Sequence, residues 1–474
     1  MKNIELRWAL NVGRRTEKRR AMPTRDAVHS GRSPDSLAVR PLASLGAARP
    51  TSNVQRLLPF VLLACSPTPD VALGEPAAVS AHTAVGTAPI LAIAPDGGRT
   101  VAWVSAPDGG TDGRLYVATD DAAPTELRDA LGPIEPHGEA PPKLAYGPDG
   151  ALHAIYVVGK EAPGRRFPLS ALRHVRSADG GRTWSEPASV ADDALFGSHN
   201  FHALHAASDG TVYVAWLDGR HGKSATYVTR STDGGRTWAP NVRVSMGESC
   251  PCCRTAIAAG ADGAVYLAWR TVLPGNVRDV VVARSADRGL TWSAPVRVHA
   301  DDWVFEGCPH AGPSLQVDAA GRVHVAWWTG KEGAAGVWYA RSDDGARTFA
   351  APVALGVGEL SRPAHAQLAL GADGLVVAAW DDGTLETPAV VLRVSRDGGR
   401  TFGAPLTASA PDVAATYPVL ALADRLVSVA WSEQSRAAAH HAAAHAPDMR
   451  DPKAVKGLGR VGESRVVVRV GEVR

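Results

Sequence analysis

Four of the chain's five cysteines fall in two short stretches, S-C-P-C-C-R at Ser249–Arg254 and E-G-C-P-H-A-G at Glu306–Gly312. Cys250, Cys252, Cys253 and Cys308, with His310, are thiolate and imidazole donors of the kind that hold Cu(I) or Zn. His202, His199 and His365 stand in similar short polar stretches and could complete a coordination shell. The spacing follows no zinc-finger or zinc-ribbon pattern. The same four cysteines are also an even number, so two disulfides are an equally natural use of them in an exported chain. Cys252 and Cys253 are vicinal, a pairing that strains disulfide geometry, so any bridge would reach Cys250 or Cys308. Ligand set and disulfide staple both remain open on residue type alone.

The elements that must position these groups are written as a repeat. S-A-D-G-G-R-T-W begins at Ser177, S-T-D-G-G-R-T-W at Ser231, S-A-D-R-G-L-T-W at Ser285, S-D-D-G-A-R-T-F at Ser342 and S-R-D-G-G-R-T-F at Ser395, with starts 54, 54, 57 and 53 residues apart. Each copy has turn chemistry: Ser and Asp oxygens can accept backbone N–H groups, Gly supplies positive φ, and Thr-aromatic re-enters a strand. A second signal runs independently of the first. Alternating strands end on Ala or Ile and an aromatic at Trp103, Tyr156, Trp216, Trp269, Trp327, Trp380 and Trp431, at intervals of 51 to 60 residues. Alternation bounded by Gly and Asp reads as strand, and no helical period competes with it. The aromatics read as core between repeats. Each unit supplies a strand before its turn, the aromatic strand, a strand after it and a fourth behind the S-x-D-x-[GA]-x-T-[WF] turn. The expected fold is all-β, a β-propeller of four-stranded antiparallel blades with seven blades favoured over six. The turn pattern resembles the Asp-box (BNR) repeat of the sialidase-like β-propellers, whose sialidases have six blades.

That resemblance, with simple up-and-down strand counting, places the start of each innermost strand at the rim of the central channel, opposite the Asp-box turns. P-H-G-E-A at Pro136, S-H-N-F-H at Ser198, S-C-P-C-C-R at Ser249, E-G-C-P-H-A-G at Glu306, S-R-P-A-H at Ser361 and T-Y-P-V-L at Thr416 share that phase. A Cys/His site at the channel mouth for metal, glycan or another small molecule is the leading expectation. The resemblance also implies an alternative, retaining hydrolysis of a terminal sialic acid, in which arginines clamp the substrate carboxylate and a Tyr–Glu pair supplies the nucleophile. Arg254, Arg362 and Tyr417 follow the family's chain order, with Glu306 or Glu248 as carboxylate partner. The first unit reads A-V-G-T-A-P-I-L and lacks the arginine that the family's first blade carries. A third possibility is a scaffold whose faces bind protein partners, the cysteines serving only as disulfides.

Residues 1–56 carry 12 Lys/Arg against 4 Asp/Glu, whereas the whole chain carries 50 against 48, so the remainder is acidic by 44 to 38. An acidic body argues against nucleic acid, which requires a basic footprint. Residues 1–56 read as a disordered or over-extended N-terminal segment, 66–79 as a linker and 80–474 as the propeller. Between them, L-L-P-F-V-L-L-A-C at residues 57–65 follows Arg56 and resembles a bacterial lipoprotein signal, with Cys65 as the lipidated residue. No apolar run is long enough for a membrane-spanning helix, so contact with a membrane would be through that anchor alone. This implies an exported envelope protein. In a bacterial host, metabolic labelling with an alkynyl fatty acid should mark the full chain, and Cys65→Ala should abolish the label.

Overall fold

A computed structural model of the chain describes residues 70–81, 85–106, 112–120, 122–164, 168–359, 361–435 and 464–474. Residues 1–56 and 57–65, including Cys65, lie outside them. The described residues form seven antiparallel sheets and no helix. Their innermost strands are Thr87–Ile93, Lys143–Tyr146, His199–Ala206, Ala256–Ala259, Ser314–Val317, Gln367–Leu370 and Val413–Ala423. Each lies beside the innermost strand of the next sheet, and Val413–Ala423 lies beside Thr87–Ile93, so the ring closes at seven blades and not six.

What joins the blades is the aromatic at each second strand. Trp103, Tyr156, Trp216, Trp269, Trp327, Trp380 and Trp431 are fully or almost fully buried, and each packs into the hydrophobic cluster it shares with the preceding blade. Trp103 of the first blade meets Ala430 and Val466 of the seventh, completing the circle. Three of these buried indole N–H groups find a carboxylate acceptor. Trp216 Nε1 donates to Asp218 at 2.8 Å, Trp327 Nε1 to Asp301 at 2.9 Å and Trp431 Nε1 to Glu433 at 3.0 Å.

The five Asp boxes are structural turns. In the Ser231 copy, Thr237 N–H and Oγ1–H donate to Asp233 at 2.9 and 2.6 Å, and Gly235 N–H donates to Ser231 Oγ at 2.8 Å. Two adjacent residues of this turn take positive φ, at 73° and 82° for Gly234 and Gly235. Where the sequence departs from Gly-Gly the backbone does not follow: Arg288 holds φ 58° and Ala346 φ 62°, each at a cost of roughly 1 kcal/mol.

The seventh blade departs from expectation. The R-V-V-V-R-V stretch that begins at Arg465 lies in the blade's third strand, Ser464–Val473. The outermost strand is Val71–Leu73, from the stretch read as a linker, and it pairs with Gly471–Val473. Three residues between Pro-rich flanks carry too little alternation to announce a strand; the exposed edge of Ser464–Val473 recruits them. Val71 is 2% exposed and packs with Val473 and Val394. Val71→Asp should therefore cost about 2–4 kcal/mol in urea unfolding, the penalty for a buried charge without a partner. Val304→Asp, on an exposed position, should be close to neutral by the same assay.

Candidate functional site at the channel mouth

The innermost strands begin with local irregularities that turn side chains toward the axis. The first, third and seventh blades each carry a register shift there, between Thr87 and Ile90, Asn200 and Ala203, and Thr416 and Val419. In each, the residue inside the shift has positive φ: Ala88 at 54°, Phe201 at 56° and Tyr417 at 54°. His310, ahead of the fifth inner strand, has φ 49°. Bulges re-aim side chains, and a left-handed aromatic or imidazole residue costs about 1–3 kcal/mol, so these channel positions carry backbone strain.

The fourth blade goes further. Glu248–Ser249 and Ala256–Ala259 both pair with Val265–Val272, and between them Cys250–Thr255 leaves the sheet. The excursion is pinned where Cys250 N–H donates to the Arg270 carbonyl at 2.8 Å. Its three cysteines converge. Cys250 Sγ lies 3.2 Å from Cys253 Sγ and 3.8 Å from Cys252 Sγ, and all three side chains are buried. Cys252 also belongs to a second group with Cys308 and His310, in which the ligand atoms lie within 4.8 Å of one another. Cys308 and His310 are exposed, and Cys252 is the only member the two groups share. No disulfide joins any of the four cysteines. Hydrogen bonds from Cys252 and Cys253 draw the Cys250 thiol well below the usual range.

Two buried guanidinium groups flank the sulfurs. Arg270 donates to the carbonyls of Arg278, Ala311 and Trp328 at 2.5–3.2 Å and lies over the Trp303 ring. Arg278 Nε and Nη1 are buried without a hydrogen-bond partner. Neither arginine is ion-paired with a carboxylate among the described residues, and both charges act on Cys250.

Across the channel lies an acid–base cluster. His365 Nδ1–H donates to Asp381 at 2.5 Å, its Nε2–H faces the Glu139 carboxylate and the His310 carbonyl, and its backbone N–H donates to Asp381 as well. Asp381 also accepts Tyr417 N–H at 3.1 Å. Burial alone would lower the His365 pKa, but the flanking Asp381 and Glu139 carboxylates raise it to about 10, so the imidazole is held as a cation. The Tyr417 ring packs on His365 with centroids 4.3 Å apart. The ring also lies against Gly138, where any Cβ would come within 2.4 Å of it. Burial, then Glu139 and Asp381, push the Tyr417 phenol upward, which keeps it protonated. Burial and the nearby Arg254 lower Lys143 to about 7. His137, Phe201 and His310 line the remaining arc, with ring centroids 5.5–6.5 Å apart.

The expected ligands divide accordingly. Cys250, Cys252, Cys253, Cys308 and His310 come together. His202 does not join them; it is buried beside Lys143. His199 is held by Asp193 at 2.9 Å and His365 by its carboxylates, so neither completes a sulfur shell. Of the hydrolase set, Arg254 is buried and donates to the Ala366 carbonyl at 2.9 Å, across two blades. Arg362 turns instead to the carbonyls of Leu385 and Glu386 in an exposed loop of its own blade. Glu306 stands exposed and Glu248 pairs with Lys223; the carboxylates that act on Tyr417 are Glu139 and Asp381. Glu139, His137 and Lys143 were missed, although P-H-G-E-A at Pro136 lies in the repeat phase that marks the other site stretches. Asp381 was missed because it follows a core Trp on a second strand, where nothing in the pattern separates a site residue from a turn acceptor.

Residues 134–304 match the BNR repeat-like domain. The propeller is also similar to a crystal structure of a protein of unknown function from Dyadobacter fermentans, at 18% identity over 86% of this chain and 100% of that one, TM-score 0.47. It is similar to the Hadza microbial sialidase Hz136 at 19% identity over 70% and 73% of the two chains, TM-score 0.43. The intramolecular trans-sialidase of Ruminococcus gnavus gives 13% identity over 75% and 92%, TM-score 0.40. No curated protein matches the chain by sequence. The matched residues include the Cys250–Thr255 excursion of the fourth blade.

Because the folded pKa of His365 lies above its ordinary 6.5, its stabilising contribution is complete below pH 6.5 and is lost as pH rises toward about 10. His365→Gln should therefore be destabilised most at pH 6, and its melting temperature should converge on the wild-type value as the pH approaches 10.

Proposed function

We propose that this propeller is a soft-metal-binding protein whose channel mouth holds one Cu(I) or Zn(II) ion on cysteine thiolates, with no turnover required of it. The observation that carries the reading is the convergence of three buried sulfurs beside two guanidinium groups that have no carboxylate partner. Metal–sulfur bonds of about 2.3 Å place sulfurs sharing one ion roughly 3.8–4.0 Å apart. The Cys250–Cys252 separation of 3.8 Å is of that size, and the 3.2 Å to Cys253 needs only a small opening. Thiolates select soft or borderline ions, and a buried thiolate cluster requires compensating charge. Arg270 and Arg278 supply it.

Sialic-acid hydrolysis finds less support. It requires guanidinium groups converging on one carboxylate, whereas only Arg254 of the predicted set is buried at the channel. An envelope location, with Cys65 as anchor, suits a metal-binding role and belongs to the same proposal.

Protein purified anaerobically, reduced and without chelator should carry close to one equivalent of Cu or Zn by elemental analysis. Cys252→Ser should lower metal affinity by at least about 100-fold, since that sulfur serves both groups. Two intact disulfides among the four cysteines in the native protein, with no bound metal, would overturn the reading.

A further inference from the structure

The two cysteine groups differ in burial and share one sulfur, and this asymmetry points to a route as well as a site. The outer group pairs Cys308 and His310, both exposed, with Cys252. The inner group is Cys250, Cys252 and Cys253, at 0%, 5% and 1% exposure. No fourth donor among the described residues lies mutually close to the inner three sulfurs. Zn(II) in a structural site takes four ligands in a tetrahedron, whereas a three-thiolate set matches Cu(I). Charge favours the same ion. Three thiolates and one monovalent cation sum to minus two, which Arg270 and Arg278 cancel; a divalent ion would leave one guanidinium charge over.

Resting on the metal reading above, we infer that the ion is Cu(I), and that it is captured at Cys252, Cys308 and His310 and then passed inward by ligand exchange around Cys252. In that step the bonds from copper to Cys308 Sγ and the His310 imidazole break as bonds to Cys250 Sγ and Cys253 Sγ form. The bond to Cys252 persists throughout. One proton is displaced, from the Cys253 thiol, and it goes to the released Cys308 sulfur; Cys250 binds as the thiolate and His310 is freed as neutral imidazole. Copper stays Cu(I) and no oxidant or reductant enters. The exposed pair provides access that the inner sulfurs lack, and the inner sulfurs provide the third thiolate and the guanidinium field that the exposed pair lacks.

The exchange is tested by stopped-flow transfer of Cu(I) from a chromophoric bathocuproine disulfonate complex to the reduced full chain under anaerobic conditions. The Cys308→Ser, His310→Ala double variant should load at least about tenfold more slowly yet reach the wild-type affinity within about threefold. Cys250→Ser should keep the fast capture and lose at least about 100-fold in final affinity. Sulfur-only copper coordination in the loaded wild type, by X-ray absorption, is expected as well. Wild-type loading rates in the double variant would overturn the route while leaving the site intact. Equal losses of rate and affinity in that variant would also overturn it, because the outer pair would then belong to the resting site. A wild type that takes up Zn(II) but no Cu(I) removes this inference alone, and one that takes up neither ion removes the parent reading. His310→Gln, conservative at an exposed position, guards against misfolding: it should slow loading with an unchanged melting temperature.

Discussion

A closed ring of sheets tolerates no free edge between blades, so everything here depends on how one blade docks on the next. The docking group is a large aromatic on each second strand, buried against the preceding blade. Because each aromatic looks backward along the chain, six interfaces form between sequence neighbours, but the seventh needs the two ends of the fold to meet. Trp103 against Ala430 and Val466 makes that contact, and Val71–Leu73 reinforces it by lending a strand to the last blade. The N-terminal strand pairs beside the chain's final residues, so the closure is held by hydrogen bonds as well as by packing.

Ring closure fixes where chemistry can occur. Seven inner strands begin around one axis, so residues hundreds of positions apart, such as Glu139 and His365, become contacts. The pleat alone would direct side chains into the sheet packing on either face. Re-aiming them costs backbone strain at Phe201, His310 and Tyr417, and the fourth blade does it instead by a six-residue departure from the sheet, Cys250–Thr255. Strain at the channel is what a scaffold with a site grafted onto it should show, and the Asp-box turns carry a share of their own at Arg288 and Ala346.

The fold was legible because its determinants are periodic. Five S-x-D turns and seven aromatic strands repeat, and each copy confirms the others; a short unrepeated strand such as Val71–Leu73 has no such support. The site was legible only by phase. Cys250, Cys252, Cys253, Cys308 and His310 could be recognised because they share one position of the repeat and have unusual side chains. Glu139 shares that position but is an ordinary surface residue type, so only the contact with His365 reveals it. Asp381 is invisible for a different reason. It serves Tyr417 and His365 from the end of a neighbouring strand, and repeat phase does not record which strand end leans over the channel. Arg362 shows the converse: it holds the right phase, but Leu385 and Glu386 offer its guanidinium carbonyls closer to home.

His310 is where the two halves of the mouth meet. Its carbonyl accepts from His365, which ties the fifth blade's loop to the acid–base cluster, while its imidazole faces Cys252 and Cys308. One residue can satisfy both demands only if carbonyl and side chain diverge in a way an extended backbone does not allow, and φ of 49° is that compromise. The cost is borne at this residue because relaxing it would release either the imidazole or the carbonyl. His365 gives the constraint its rigidity. It is fixed by Asp381, Glu139 and the His310 carbonyl together, so a shift at His310 toward the sulfurs pulls on a charged network buried between blades. The thiol half and the carboxylate half of the channel therefore meet at His310, its carbonyl turned to one and its imidazole to the other.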